Sequence, residues 1–222
     1  MDRPEHQTTN TLERLTAEIE RSVALETLVY AAWEGAEVGS EPSAMVAAGL
    51  CSLSLEHGRA VRKLLVEVPP SATALLRPQF EALLRAVWAR HAAKESELAR
   101  LLAPLTRESQ QAAKKLPGVP DMFAALETLG QRGAAALLGR ARARLWDGLN
   151  SYVHGGIHPF QRGKSGYPAQ LLSDLLKNTN AMTMLTVIML AELTGDAELV
   201  AFMGVLHHEF ADVLPELEPF PT

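Results

Sequence analysis

The stretch Leu149 to Phe160, LNSYVHGGIHPF, sets an Asn, a Tyr and two His around a double glycine in a chain otherwise rich in Leu and Ala. Asn150 and His154 are four residues apart and share a face if the segment is helical. Gly155 follows at once and suits a left-handed helix cap. His154 then falls in the last turn, where the helix dipole favours a cation. Pro159 stiffens the exit. A histidine held at a fixed angle beside an amide is what a general acid or base needs. The same residues would equally serve to cap loose carbonyls between helices.

A second constellation lies in LRPQFEALLR, Leu76 to Arg85. Arg77, Glu81 and Arg85 recur every four residues beside the apolar stripe Leu76, Phe80, Leu83 and Val87. Pro78 sits inside this helical pattern. It removes the hydrogen bond to the Ala74 carbonyl and is expected to bend the helix. A bend beside an Arg–Glu pair makes sense if the pair faces inward, towards another polar group. Otherwise it is a surface ion pair worth about 0.3 kcal/mol.

The third is GRARARLW, Gly139 to Trp146. Arg140 and Arg144 share a helical face, and Arg142 points roughly opposite. Residues 131–164 hold Arg132, Arg140, Arg142, Arg144, Arg162 and Lys164 against Asp147 alone, a net of +5 in a chain whose total is −5. Such a patch suits phosphates; it would also read as a solvated helix face, since Arg is a good helix former. Arg140, Arg144 and Arg162 are the candidate nucleic-acid contacts.

Metal chemistry is poorly served. His57, His154, His158, His207 and His208 are the available ligands. His154 and His158 have zincin-like spacing, but the glycines between them break the helix that would pair them. There is no Glu-x-x-His pair of the di-iron type. There is no Gly-x-Ser-x-Gly, no phosphate-binding glycine loop and no dinucleotide fingerprint. No metal and no cofactor is expected.

The elements that must position these residues are helices. The chain has 222 residues, 47% of them hydrophobic and only 5% aromatic, with few β-branched runs. That composition predicts one all-α domain, a bundle of four or five long helices with short ones between. Asn10-x-x-Glu13 has the form of a capping box opening a first helix over about 11–36. A second runs from Pro42 to about 66, and a third, capped by Ser71, to about 93. A fourth covers 95–115, split at Pro104. Asp121 caps a short helix ending at Gly130. The next runs over 132–153, and residues 155–168 form a polar loop. A long helix over 168–194 stops at Gly195, and Asp196 caps the last.

Cys51 is the single cysteine, so no intrachain disulfide forms. Its apolar setting makes it a small buried hydrophobe and fits a reducing compartment. The first residues lack the apolar core of a signal peptide. The apolar run from Ala181 to Ala191 is too short to span a bilayer. A cytoplasmic protein without a membrane partner is expected.

A helical bundle with Arg77, Pro78 and Glu81 on one helix, and Tyr152-Val-His-Gly-Gly156 closing a later one, resembles a group of bacterial all-helical proteins similar to the HEPN superfamily. The resemblance covers about residues 45–195. It implies a helical bundle, often a homodimer, from toxin–antitoxin, abortive-infection or RNA-processing systems, with metal-independent RNA cleavage. The family's site pairs an Arg with a His four to six residues later. Here no Arg stands at that distance before His154, and Asn150 takes the near position. Arg85 and His91 have the spacing, but chance alone supplies about one such pair in a chain of this composition.

Three readings follow. In the first, the chain is a HEPN-like ribonuclease or toxin: His154 is the acid or base, Asn150 positions it, and Arg77, held by Glu81, clamps the phosphate. In the second, the same cleft binds a nucleotide, RNA or a partner protein such as a cognate antitoxin, without chemistry. In the third, the Arg77–Glu81 and His154 motifs form a polar network that fixes helix register.

Overall fold

The structure, a computed structural model, describes residues 4–129 and 132–216, with side chains described for 13–129 and 136–216. In chain order the helices are α1 (Pro4–Glu34), α2 (Pro42–Leu64), α3 (Pro69–His91), α4 (Glu95–Leu102), α5 (Arg107–Ala113), α6 (Val119–Thr128), α7 (Arg132–Val153), α8 (Ile157–Ser165), α9 (Ala169–Thr194) and α10 (Ala197–Glu209). A single 3-10 turn, Ala211–Val213, follows α10. The protein is all-α, with no strand among the described residues.

α3 is the central helix. It buries twelve of its 23 residues, so it is apolar round most of its circumference rather than along one stripe. α2 packs against it as the second arm of a helical hairpin, and α6, α7 and α9 cover further sides. The main apolar cluster gathers Leu76, Phe80, Leu83, Leu84 and Trp88 of α3 with Val61, Met122, Leu138, Leu149 and Leu176. A second joins Leu25 and Val29 of α1 to Val187 of α9, Leu206 of α10 and Phe210. One strip of α3 stays only half-buried: Ala74, Arg77, Pro78, Glu81 and Arg85.

Several boundaries follow the sequence signals. Pro42 opens α2 at a position where its missing N–H costs nothing. Pro104 lies in the break between α4 and α5. Gly195 ends α9 at φ 69°, and the Asp196 carboxylate accepts the Glu198 N–H at the start of α10. Pro78 is accommodated inside α3.

Other boundaries differ. α1 starts at Pro4, so Asn10 lies within the helix rather than at its start. Ser71 lies in the first turn of α3, whose N-cap is Val68. Asp121 is the third residue of α6, where its carboxylate accepts the N–H of the true N-cap, Gly118. Gly130, the expected end of that helix, and the side chain of Arg132 lie outside the described residues.

The largest difference is at 155–168, expected as a loop and in fact holding α8. Pro159 falls in the first turn of α8, where a missing N–H breaks no helical bond. The proline that looked like a breaker is an initiator.

Candidate functional site

The α7–α8 junction explains the double glycine. Gly155 has φ +64°, the left-handed conformation that ends a helix. The N–H of Gly156 then reaches back to the Ser151 carbonyl at 2.7 Å. A Cβ on Gly156 would lie 2.5 Å from Ser151 Oγ and 3.2 Å from its Cα, so only glycine fits. Ser151 Oγ also accepts the N–H of His158 at 3.0 Å and so caps α8. Five residues thus turn the chain sharply and leave His154 exposed at the corner.

His154 meets Arg77 there. Arg77 Nη1 lies 3.2 Å from His154 Nε2, across 77 residues of sequence. A guanidinium can only donate, so for this contact to be a hydrogen bond Nε2 must accept, which takes the tautomer that carries its proton on Nδ1. Arg77 Nε donates to Glu81 Oε1 at 2.7 Å, and the pair is 21% and 32% exposed. The Arg77 guanidinium also lies over the Trp146 ring, 4.9 Å from its centroid. Trp146 makes an edge contact with Phe80. A carboxylate, a ring face and an imidazole therefore fix one cation on three sides.

Arg142 shares this platform, with its guanidinium 5.5 Å from the Trp146 centroid and 5.4 Å from that of Phe123. Beyond His154, Tyr152 stacks on His158 and leans on Tyr167. Burial pushes the Tyr167 hydroxyl above its usual range. Arg162 lies close enough to act on that hydroxyl electrostatically.

The sequence candidates divide accordingly. Arg77, Glu81 and His154 come together. Asn150 joins them only through its backbone carbonyl, which accepts the His154 N–H at 3.1 Å; no hydrogen bond of its side-chain amide is seen among the described residues. Arg140 and Arg144 do not lead to His154. They border a cavity between α7, α9 and α10, on the side of α7 away from Trp146, as residues two apart on a helix must. The cation that shares the Trp146 ring with Arg77 is Arg142. Among the described residues no group of three or more His, Cys, Asp or Glu is placed to hold a metal ion.

Sequence reasoning missed a buried polar cluster. Arg62, 1% exposed at its side chain, donates to Glu26 Oε2 at 3.1 Å, to Asn180 Oδ1 at 3.0 Å and to Thr183 Oγ1 at 2.8 Å. Asn180 Nδ2 donates to Ser22 Oγ at 2.7 Å and to the Val213 carbonyl at 2.9 Å. Burial pulls the Arg62 guanidinium down to about 10, and the Glu26 charge opposes it. The cluster ties α1, α2, α9 and the last turn together. The signal was present: Thr179 and Asn180 just before the apolar run of Ala181 to Ala191, and Thr183 and Thr186 inside it, recur at helical spacing.

No helix among the described residues is long and apolar enough to cross a membrane. Residues 51–216 match DUF6988, described as a family of unknown function. No curated protein and no solved structure matches the chain.

Proposed function

The chain belongs to DUF6988, a family of unknown function, and we propose that it is a metal-independent ribonuclease of the HEPN type, a toxin-like defence protein whose site is centred on His154 and Arg77. The observation that carries the reading is the 3.2 Å contact between Arg77 Nη1 and His154 Nε2 at an exposed helix corner. An RNA phosphate entering here takes the Arg77 donors in place of the imidazole. That exchange frees the Nε2 lone pair. Nε2 then takes the proton of the ribose 2′-hydroxyl, whose oxygen attacks phosphorus. The 5′-oxygen leaves, gains a proton from water, and a 2′,3′-cyclic phosphate remains. Arg77, kept in place by Glu81, neutralises the added charge on the phosphoryl oxygens. Arg142 and Arg162 hold the flanking phosphates.

Cleavage of a labelled mixed RNA pool in excess EDTA, by wild type and by His154→Ala, tests it. Cutting by wild type alone supports the reading.

One observation favours a second reading. The Arg77 guanidinium is already engaged by Glu81 and Trp146, as in a site that binds RNA, a nucleotide or an antitoxin protein without cutting. RNA retention on a filter with no cleavage supports that alternative.

A further inference from the structure

α8 has one side that faces the protein and one that does not. On the first, His158 stacks with Tyr152, and Arg162, one turn on, acts electrostatically on the Tyr167 hydroxyl. On the second, Ile157, Phe160 and Lys164 follow one another at helical spacing and form a single stripe. Ile157 is 66% exposed and Phe160 60%. Lys164 Nζ lies over the Phe160 ring, 4.5 Å from its centroid, a cation–π contact. Even with that ammonium beside it, most of the ring meets water.

The charge around this stripe has one sign. From Gly148 to Ser173 the chain carries no carboxylate, and the same stretch holds Arg162 and Lys164. A polyanion approaching α8 meets no local repulsion. An aromatic ring with a cation next to it is the pair of groups that a single-stranded nucleic acid uses, the ring for a base and the cation for a phosphate. Other occupants fit less well. A nine-residue helix is about 14 Å long, and one stripe of it falls far short of the ~800 Å² per partner of a stable protein interface. Two apolar side chains also give little area for holding a helix on a membrane surface.

We propose that α8 is a stacking platform for single-stranded RNA: an unpaired base lies on Phe160 with Ile157 at its edge, and the adjacent phosphate is held by Lys164. The inference rests on the RNA reading of the His154 corner and adds a base subsite in the first turn beyond that corner. It also sets the substrate class. Bases in a duplex are already stacked and offer no face to the ring, so the platform selects single strands.

The experiment is binding of the full chain to a labelled single-stranded RNA with 2′-O-methyl riboses, which lacks the attacking hydroxyl and stays intact, and to its duplex. Phe160→Ala should weaken the single strand about tenfold, as expected for one lost stacking contact. Duplex affinity and melting temperature should not change. Phe160→Trp should bind the single strand at least as tightly as wild type. Phe160→Leu, apolar but without a ring, should lose nearly as much as Phe160→Ala. Lys164→Gln should flatten the salt dependence by about 0.7. Undiminished binding by Phe160→Ala or Phe160→Leu overturns the platform, as does an equal loss on the duplex or an unchanged salt slope in Lys164→Gln. Each of these leaves the His154 reading standing if unmodified RNA is still cut. No binding of single strands by wild type overturns the RNA reading together with the platform. Self-association, or sedimentation with anionic phospholipid vesicles, that Phe160→Ala abolishes at unchanged RNA affinity would give the stripe to a second copy or a membrane and also overturn the proposal.

Discussion

Ser151 and Gly156 are locked together: the serine carbonyl takes the glycine N–H, and the serine hydroxyl leaves no room for a Cβ on the glycine. This pair, not the histidines, sets the angle between α7 and α8 and holds His154 at the corner. Gly156→Ala forces Ser151 to move and should cost about 1–3 kcal/mol of unfolding free energy in urea titration. Gly155→Ala, which strains only its own backbone at φ +64°, should cost about 1 kcal/mol. If Gly156→Ala is neutral, the junction is looser than its contacts state.

The buried cluster makes a larger prediction. Arg62→Ala leaves the Glu26 carboxylate, 8% exposed, without its buried partner, although Arg59 still reaches it. It also leaves the oxygens of Asn180 and Thr183 without their donor. The expected loss is about 3–5 kcal/mol in chemical denaturation. A loss under 1 kcal/mol would mean that solvent enters and replaces the guanidinium.

Acid sensitivity should trace to the last turn. Arg21 donates to both oxygens of Asp212, at 3.1 and 2.9 Å. These bonds hold the Asp212 carboxyl below its usual 3.8, against a smaller opposing effect of burial. A carboxyl lowered in the folded state contributes stability that is complete above its unfolded pKa. That contribution is lost as pH falls through the folded value. Wild type should therefore lose stability below about pH 4. Asp212→Asn should lack this contribution at neutral pH and show a shallower acid decline, as read from unfolding curves at pH 7 and pH 3.

The two faces of α7 should behave differently towards RNA. Arg142, stacked near Trp146 and Arg77, should lower RNA affinity severalfold when replaced by Gln and flatten the salt dependence by about one unit. Arg144→Gln, on the cavity side, should leave RNA affinity within about twofold by the same reasoning. Filter binding at two salt concentrations separates them. Equal losses would mean that RNA wraps round α7.

The fold class was legible because it rests on composition and spacing, which survive without tertiary information. The ends of α7 and α9 were legible because Gly155 and Gly195 carry a backbone requirement of their own. α8 was not, because Gly156, Pro159, Gly163 and Gly166 look like loop residues until Ser151, from the previous helix, supplies the cap. The Arg77–Glu81 pair was visible as an i,i+4 spacing, and its partner His154 was visible as a motif. Their contact depends on α7 packing across α3, which no local pattern contains. Arg62 was passed over for the same reason: an arginine between Val61 and Leu65 reads as surface until Glu26 and Asn180 close round it.

Glu81 offers a test short of removing the reacting groups. Glu81→Gln keeps a side chain of the same shape but releases Arg77 from its ionic anchor at 2.7 Å. Turnover should fall about tenfold through loss of positioning, while RNA affinity rises modestly because a negative charge is gone. A fall in affinity instead would assign Glu81 a direct contact with RNA.

The most direct measurement is end-group analysis of RNA incubated in excess EDTA with wild type, His154→Ala and Arg77→Ala, each shown folded by its melting curve. The account predicts fragments with 2′,3′-cyclic phosphate and 5′-hydroxyl ends from wild type and none from either variant. Intact RNA with all three proteins, or equal cleavage by wild type and His154→Ala, would contradict it.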